Sequence, residues 1–187
     1  MIKSNRGGFT LVEVLIAVFV LSLGLVGISS LQLNVLRTAR QSAYQNSALR
    51  LATEMADLVT AHRYLAAPSN PFLGLDYQSS TVAEAAAPKF CHASDCNVDE
   101  LAAYEIHEWK ARLKASLPDG RALICRDANP WDNAGEAYRW NCSAGADSEP
   151  VVIKIGWRHD SLSGGVNKSG GKTFAPALAF TVGAFPK

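Results

Sequence analysis

The sequence predicts an α+β protein in which a long N-terminal helix is followed by a second helix and a small antiparallel sheet. Residues 14–36 carry no charged side chain, which indicates an apolar helix. No proline follows Phe9 before Pro68, so one helix can cover that whole distance. Short runs of alternating apolar residues in the second half of the chain predict strands.

The overall composition is balanced and excludes several classes of protein. The 18 lysines and arginines against 17 acidic residues give a formal charge of +1. The chain therefore lacks the excess of basic residues that would indicate a nucleic-acid partner. An apolar content of 48% excludes a chain that is disordered throughout. Only one long apolar run is present, which excludes a multi-span membrane protein.

The first half of the long helix is predicted to cross a membrane, because a bilayer needs about 20 apolar residues in a helix. Lys3 and Arg6 precede the apolar run and predict a cytoplasmic N-terminus, with the remainder exported. An ordinary secretory signal would need a shorter apolar region and then an A-x-A type of site, and no such site follows. A plain membrane anchor does not explain Glu13, because a carboxylate costs about 2–3 kcal/mol at the bilayer centre and less near the interface.

The segment Gly8-Phe9-Thr10-Leu11-Val12-Glu13-Val14 resembles the cleavage and methylation motif of type IV prepilins and pseudopilins. The resemblance implies that a membrane-embedded aspartic peptidase, the prepilin peptidase, cuts between Gly8 and Phe9 and methylates the new amine of Phe9. It also implies that Glu13 is an assembly carboxylate, which contacts this amine in the same or a neighbouring subunit. Such a pair is favourable because an unpaired charge in an apolar setting is costly.

The second half of the long helix is predicted to be amphipathic and to dock into a globular head. Its apolar stripe, at steps of three and four residues, consists of Ala48, Leu51, Ala52, Met55, Val59 and His62. His62 is therefore interpreted as a packed or rim histidine and not as a ligand. Two prolines, Pro68 and Pro71, end the helix.

The second helix is predicted to begin after Asn97, which can form a capping box with Glu100. Its predicted apolar face consists of Val98, Ala102, Ile106, Trp109 and Leu113. Residues 72–88 are predicted to form a connecting segment. Strands are predicted at 121–126, 151–158 and 174–185, separated by turn-rich segments, so antiparallel pairing is expected.

The four cysteines are predicted to form disulfides, because an exported segment lies in an oxidising compartment. Three connectivities are open. The preferred one joins Cys91 to Cys96 at the start of the second helix, and Cys125 to Cys142 across a loop. The alternative is a zinc site made by Cys91, His92, Cys96 and His107, whose C-x₄-C spacing is looser than that of the usual zinc motifs.

No catalytic residue, cofactor or metal is predicted. The sequence contains no G-x-S-x-G turn. Its glycine pairs do not complete the G-x-x-x-x-G-K-[ST] pattern of a phosphate-binding loop, since Val166 stands at the position of the first glycine before Gly171-Lys172-Thr173. The acidic residues of the second helix are interpreted as its solvated face: Asp99, Glu100, Glu105 and Glu108.

Several distal segments resemble minor pilins of the PilV type: 101–105 leading to Trp109, 117–120, 125–127 and 151–157. The resemblance implies a pilin fold and a non-enzymatic role. Other minor pilins, the major pilin and the inner-membrane assembly platform are the implied partners. The implied function is to prime type IV pilus growth at the pilus tip, in support of motility or adhesion. The alternatives are a type II secretion pseudopilin and a membrane-anchored periplasmic enzyme or binding module.

The expected organisation has four parts. A leader, 1–8, precedes the membrane-spanning or filament-core part of the helix, 9–31. The periplasmic part of the helix, 32–67, leads to a globular pilin head, 68–187. The head is expected in the periplasm first, with the helix in the inner membrane, and later in a pilus at the cell surface.

Overall fold

The part of the chain described by a computed structural model consists of residues 8, 10–62, 70–80, 88–143, 149–158 and 174–183. Only the backbone is described at residues 26, 27, 29–31 and 183. The chain divides into two compact units, Met1–Ala43 and Tyr44–Lys187. The elements form an α+β protein, which agrees with the predicted class.

Most of the first unit is the helix α1, Leu11–Ala61, which continues into the second unit. From Leu11 to Leu25 every side chain is exposed, and most of these side chains are large and apolar. Within the described residues, no helix combines the length and the apolar character that a membrane crossing requires. The predicted span, 9–31, includes Phe9, which lies outside the described part, and five α1 positions at which only the backbone is described.

The core of the second unit begins on α1. The predicted apolar stripe of this helix is confirmed, because all six of its members are buried: Ala48, Leu51, Ala52, Met55, Val59 and His62. The stripe packs against the second helix, α2, Val98–Ser116. The indole Nε1 of Trp109 donates to the backbone oxygen of Leu51 at 3.0 Å, so the two helices are joined by a buried hydrogen bond as well as by apolar contact.

The predicted capping box at the start of α2 is confirmed. Asn97 Oδ1 accepts from the Glu100 backbone N–H at 2.8 Å, and Glu100 Oε2 accepts from the Asn97 backbone N–H at 3.0 Å. The hydrogen bond from Asn97, together with that from Lys89, lowers the pKa of the Glu100 carboxyl. The predicted apolar face is wrong at its first member, since Val98 is 43% exposed, whereas Tyr104 is buried.

Replacing Asn97 with alanine is expected to lower the free energy of unfolding by about 1 kcal/mol, because the first turn of α2 loses its cap. Asn97→Asp should retain most of the stability, since aspartate caps about as well as asparagine. Urea unfolding of the full chain in detergent measures both variants. Equal stability of the alanine variant and the wild type would contradict a contribution from this cap.

In the described part of the chain, six strands make up two sheets. The larger sheet has the order β1-β2-β5-β6 and consists of β1 (Asp76–Gln78), β2 (Arg121–Arg126), β5 (Val151–Gly156) and β6 (Leu178–Gly183). The smaller sheet is a hairpin of β3 (Trp131–Asp132) and β4 (Ala137–Tyr138). Every pairing is antiparallel, as predicted. The pairs Ala122↔Ile155 and Ile153↔Phe180 place β5 between its two neighbours.

Four strand predictions require correction. The strand predicted at 151–158 ends at Gly156. The connecting segment predicted at 72–88 contains β1, and the β3–β4 hairpin lies between the strands predicted at 121–126 and 151–158, where no strand was predicted. These strands are two or three residues long and fall below the runs of four to eight residues that reveal a strand in a sequence. The last strand is shorter than predicted: β6 starts at Leu178, and Phe185 lies outside the described residues.

The central strand β5 is buried on both faces. Val151, Ile153 and Ile155 alternate along the strand, Trp157 follows its end in the same alternation, and all four are buried. Val152 and Lys154, which point to the opposite side, are also completely buried. The segment between β2 and β5 supplies contacts on that side, because Lys154 binds Asp127 and the backbone oxygen of Asn141.

Candidate processing and assembly site

The predicted scissile bond lies just before the start of α1. Gly8 is exposed and outside the helix, and Thr10 is the residue before the first helical one, Leu11. Phe9, the predicted methylation site, lies outside the described residues. Thr10 O accepts from the backbone N–H groups of Glu13 and Val14 at 3.1 and 3.3 Å, so helical hydrogen bonding begins two residues after the predicted cut.

The side chain of Thr10 caps this helix, a role that the sequence interpretation missed. Its Oγ1 accepts from the backbone N–H of Glu13 at 3.3 Å. This contact is one half of a capping box, in which threonine is followed three residues later by glutamate. The sequence pattern of this capping box is Thr10-Leu11-Val12-Glu13, directly before the apolar run, and could have been recognised from the sequence.

Glu13 is exposed in the first turn of α1, where its backbone is held by Thr10. A carboxylate is favourable there because the N-terminal end of a helix carries a partial positive charge. The exposed carboxylate of Glu13 is thus accessible to a cationic partner.

The four cysteines lie in the two predicted pairs, each at disulfide distance. The Cα atoms of Cys91 and Cys96 are 5.5 Å apart, and those of Cys125 and Cys142 are 6.3 Å apart. The first disulfide removes both thiolates of the alternative zinc site. Among the described residues, no group of three or more histidine, cysteine or acidic side chains is arranged to hold a metal.

A buried ion pair lies beside the second disulfide. Lys154 Nζ is 2.5 Å from Asp127 Oδ2, and both side chains are completely buried. The other carboxylate oxygen, Asp127 Oδ1, accepts from Ser143 Oγ at 2.7 Å and from the Asn129 backbone N–H at 3.0 Å. Burial raises the pKa of Asp127, but its hydrogen bonds from Lys154, Ser143 and Asn129 together hold the pKa below the ordinary value.

His62 and several acidic side chains of α2 have structural partners. His62 is buried, as its interpretation as a packed residue requires, and its Nε2 is 2.7 Å from Glu105 Oε2. Glu108 lies 4.0 Å from Arg112, and Glu100 belongs to the capping box. The predicted solvated face of α2 is thus tied to neighbouring elements at several points.

Comparison with known proteins gives one match. Residues 3–29 match the family described as the prokaryotic N-terminal methylation motif. The matched segment includes Gly8, Phe9, Thr10 and Glu13 and ends inside α1. No curated protein and no solved structure matches the chain.

The matched motif supports a type IV pilin-like or pseudopilin-like protein. It implies processing by a prepilin peptidase and assembly with other pilins into a pilus or pseudopilus. A helix combined with a small antiparallel sheet is consistent with a pilin fold. The motif also suggests a structural protein that is anchored in a membrane and later becomes associated with a pilus.

Proposed function

We propose that this chain is a minor pilin of the PilV type, which assembles with other minor pilins to prime type IV pilus growth at the pilus tip. The prepilin peptidase cuts between Gly8 and Phe9 and methylates Phe9. The helix over 9–31 holds the subunit in the inner membrane, with the periplasmic helix 32–67 and the head 68–187 outside it. The subunit then joins the major pilin on the inner-membrane assembly platform and supports motility or adhesion.

The observation that carries the proposal is the position of the methylation motif relative to α1. The motif covers residues 3–29, and the helix starts at Leu11. A cut after Gly8 therefore removes the leader and leaves the apolar helix on the mature protein. An ordinary signal peptide would lose that helix.

The surface of α1 supports a role in assembly. Large apolar side chains on its first turns are more than half exposed, including Leu11 at 77% and Phe19 at 63%. Contiguous exposed apolar surface of this kind needs lipid or a protein partner. The minor-pilin proposal supplies both in succession, first the bilayer and then neighbouring helices.

A type II secretion pseudopilin would share the motif, the anchored helix and the processing step. The two proposals differ in the filament that contains the protein. Deletion followed by complementation distinguishes them: loss of surface pili with unchanged protein secretion supports the minor pilin, and the reverse result supports the pseudopilin.

Replacing Glu13 with alanine is expected to leave membrane insertion intact and to reduce incorporation into pili by at least about tenfold. The amine of Phe9 would remain unpaired in the apolar filament core, and an uncompensated buried charge costs several kcal/mol. Purified pili are probed for the subunit, and its co-purification with other pilins is measured. Asp57→Ala, which removes an exposed acid from the same helix, serves as the matched control. Wild-type incorporation of the Glu13 variant would rule out the assembly role of this carboxylate.

A further inference from the structure

An apolar patch lies on the head at the start of α2. Phe90, Val98 and Leu101 are 61%, 43% and 38% exposed. Tyr104 lies one helical turn beyond Leu101. It connects the helix to the preceding loop, since its ring centroid is 6.3 Å from that of Phe90 and 5.4 Å from that of His92. These five residues are called the Phe90 patch.

The loop that presents the patch is braced on several sides. The Cys91–Cys96 disulfide closes it. Lys89 Nζ donates to the backbone oxygen of Asp95 at 2.6 Å and to Glu100 Oε2 at 3.2 Å. A surface held in one conformation loses little entropy on binding. Exposed aromatic and apolar side chains on such a surface indicate a protein interface.

Charge at the border of the patch restricts its partner. Asp95 and Asp99 are exposed, whereas the carboxylate of Glu100 is paired with Lys89. The border is therefore negative. A complementary surface combines apolar side chains with lysine or arginine.

The chain itself carries such a surface on α1, in the first unit. One face of this helix carries Leu33, Leu36, Arg37 and Arg40. They lie on the same face because they are separated by three, one and three residues. The two leucines are 56% and 58% exposed, and both arginines are exposed. These four residues are called the Leu33–Arg40 face.

We propose that the Phe90 patch of one copy docks against the Leu33–Arg40 face of a second copy. The leucines cover Phe90 and Leu101, and the arginines lie opposite Asp95 and Asp99. This contact rests on the proposed assembly role and adds a defined interface to it. It uses the periplasmic part of the helix and leaves the apolar part, 9–31, for the membrane or filament core.

Site-specific cross-linking of the full-length protein in cells tests the contact. One tagged copy carries Leu36→Cys and a differently tagged copy carries Leu101→Cys, so that only a disulfide between copies gives a band with both tags. The control copy carries Ala111→Cys, an exposed position of α2 about 15 Å further along the helix. We expect the Leu36–Leu101 combination to give at least about ten times more of the mixed dimer than the Leu36–Ala111 combination, because docking raises the local concentration of the two thiols.

Charge reversal provides a second test on the same cross-link. Arg40→Glu should reduce its yield about tenfold, because like charges then face each other, and Asp99→Lys in the other copy should restore it. Three results would each overturn the proposal. They are an equal yield at Leu101 and Ala111, no effect of Arg40→Glu, and cross-linking of Leu101→Cys to a different protein in place of a second copy. The N-terminal mass of the same samples shows whether the leader was removed, which separates a failure of this contact from a failure of the proposed function.

Discussion

Replacing Gly8 with valine is expected to leave the leader on the protein, with processing slowed at least about 100-fold. The side chain of the residue before the scissile bond must fit the peptidase, and misplacing a reacting bond by about 1 Å costs a factor of this size. Nothing lies within 4 Å of a Cβ atom added at Gly8, so valine meets no obstacle within the described part of the chain. The defect should therefore arise at the peptidase and not in folding. Gel mobility followed by mass spectrometry of the membrane fraction measures the unprocessed share.

Gly24→Ala is the matched control for this variant. A Cβ at Gly24 also meets nothing within 4 Å, and the position lies inside α1, well beyond the predicted cut. We expect this variant to be processed like the wild type. Normal processing of Gly8→Val would contradict the assigned cleavage site.

Replacing Lys154 with methionine is expected to lower the free energy of unfolding by about 3–5 kcal/mol. The substitution keeps much of the side-chain volume but leaves Asp127 as a completely buried carboxylate without its cation. A loss of this size is a large fraction of the stability of a small domain. Urea unfolding of the full chain in detergent measures the loss. If the variant does not accumulate, its steady-state amount in cells is compared with that of the wild type.

Two further variants show whether charge is the cause. Adding Asp127→Asn to the Lys154 variant should recover a large part of the stability, because no charge is then left buried and the amide oxygen still accepts from Ser143. Arg112→Met removes an exposed cation that pairs with Glu54 and should cost no more than about 1 kcal/mol. Equal losses for Lys154→Met and Arg112→Met would show that the buried pair has no special role.

The same pair contributes to the response of the head to acid. Since the pKa of Asp127 is lower in the folded protein than its ordinary value of 3.8, the group stabilises the fold at neutral pH. That contribution begins to be lost as the pH falls below the ordinary value, and it is gone once the pH is below the folded pKa. The Lys154→Met/Asp127→Asn variant should lack this part of the acid dependence.

Local patterns account for the elements that the sequence predicted well. The stripe from Ala48 to His62 repeats with the helical period over four turns, and Asn97 with Glu100 forms a cap that depends only on near neighbours. The pairing of Cys125 with Cys142 was the preferred one of three open connectivities, because it closes a loop in an oxidising compartment.

The missed features depend on contacts between distant segments. The strand β1 has only three residues, and its pairing with β2 brings together segments more than forty residues apart. Lys154 lies within an apolar strand, and only the fold shows that the loop carrying Asp127 and Asn141 closes over it. Lysine is rarely buried without a partner, so its position in a buried strand was a signal that such a partner exists. Thr10 differs from these two, because its capping pattern is local and was readable in the sequence.

The central claim is that the mature protein begins at a methylated Phe9 and keeps its apolar helix. The mass of the N-terminal peptide from protein purified out of membranes tests this directly. The peptide is expected to start at Phe9, with residues 1–8 absent and one methyl group on the amine. A protein that still begins at Met1, or one cut after the apolar run, would contradict it.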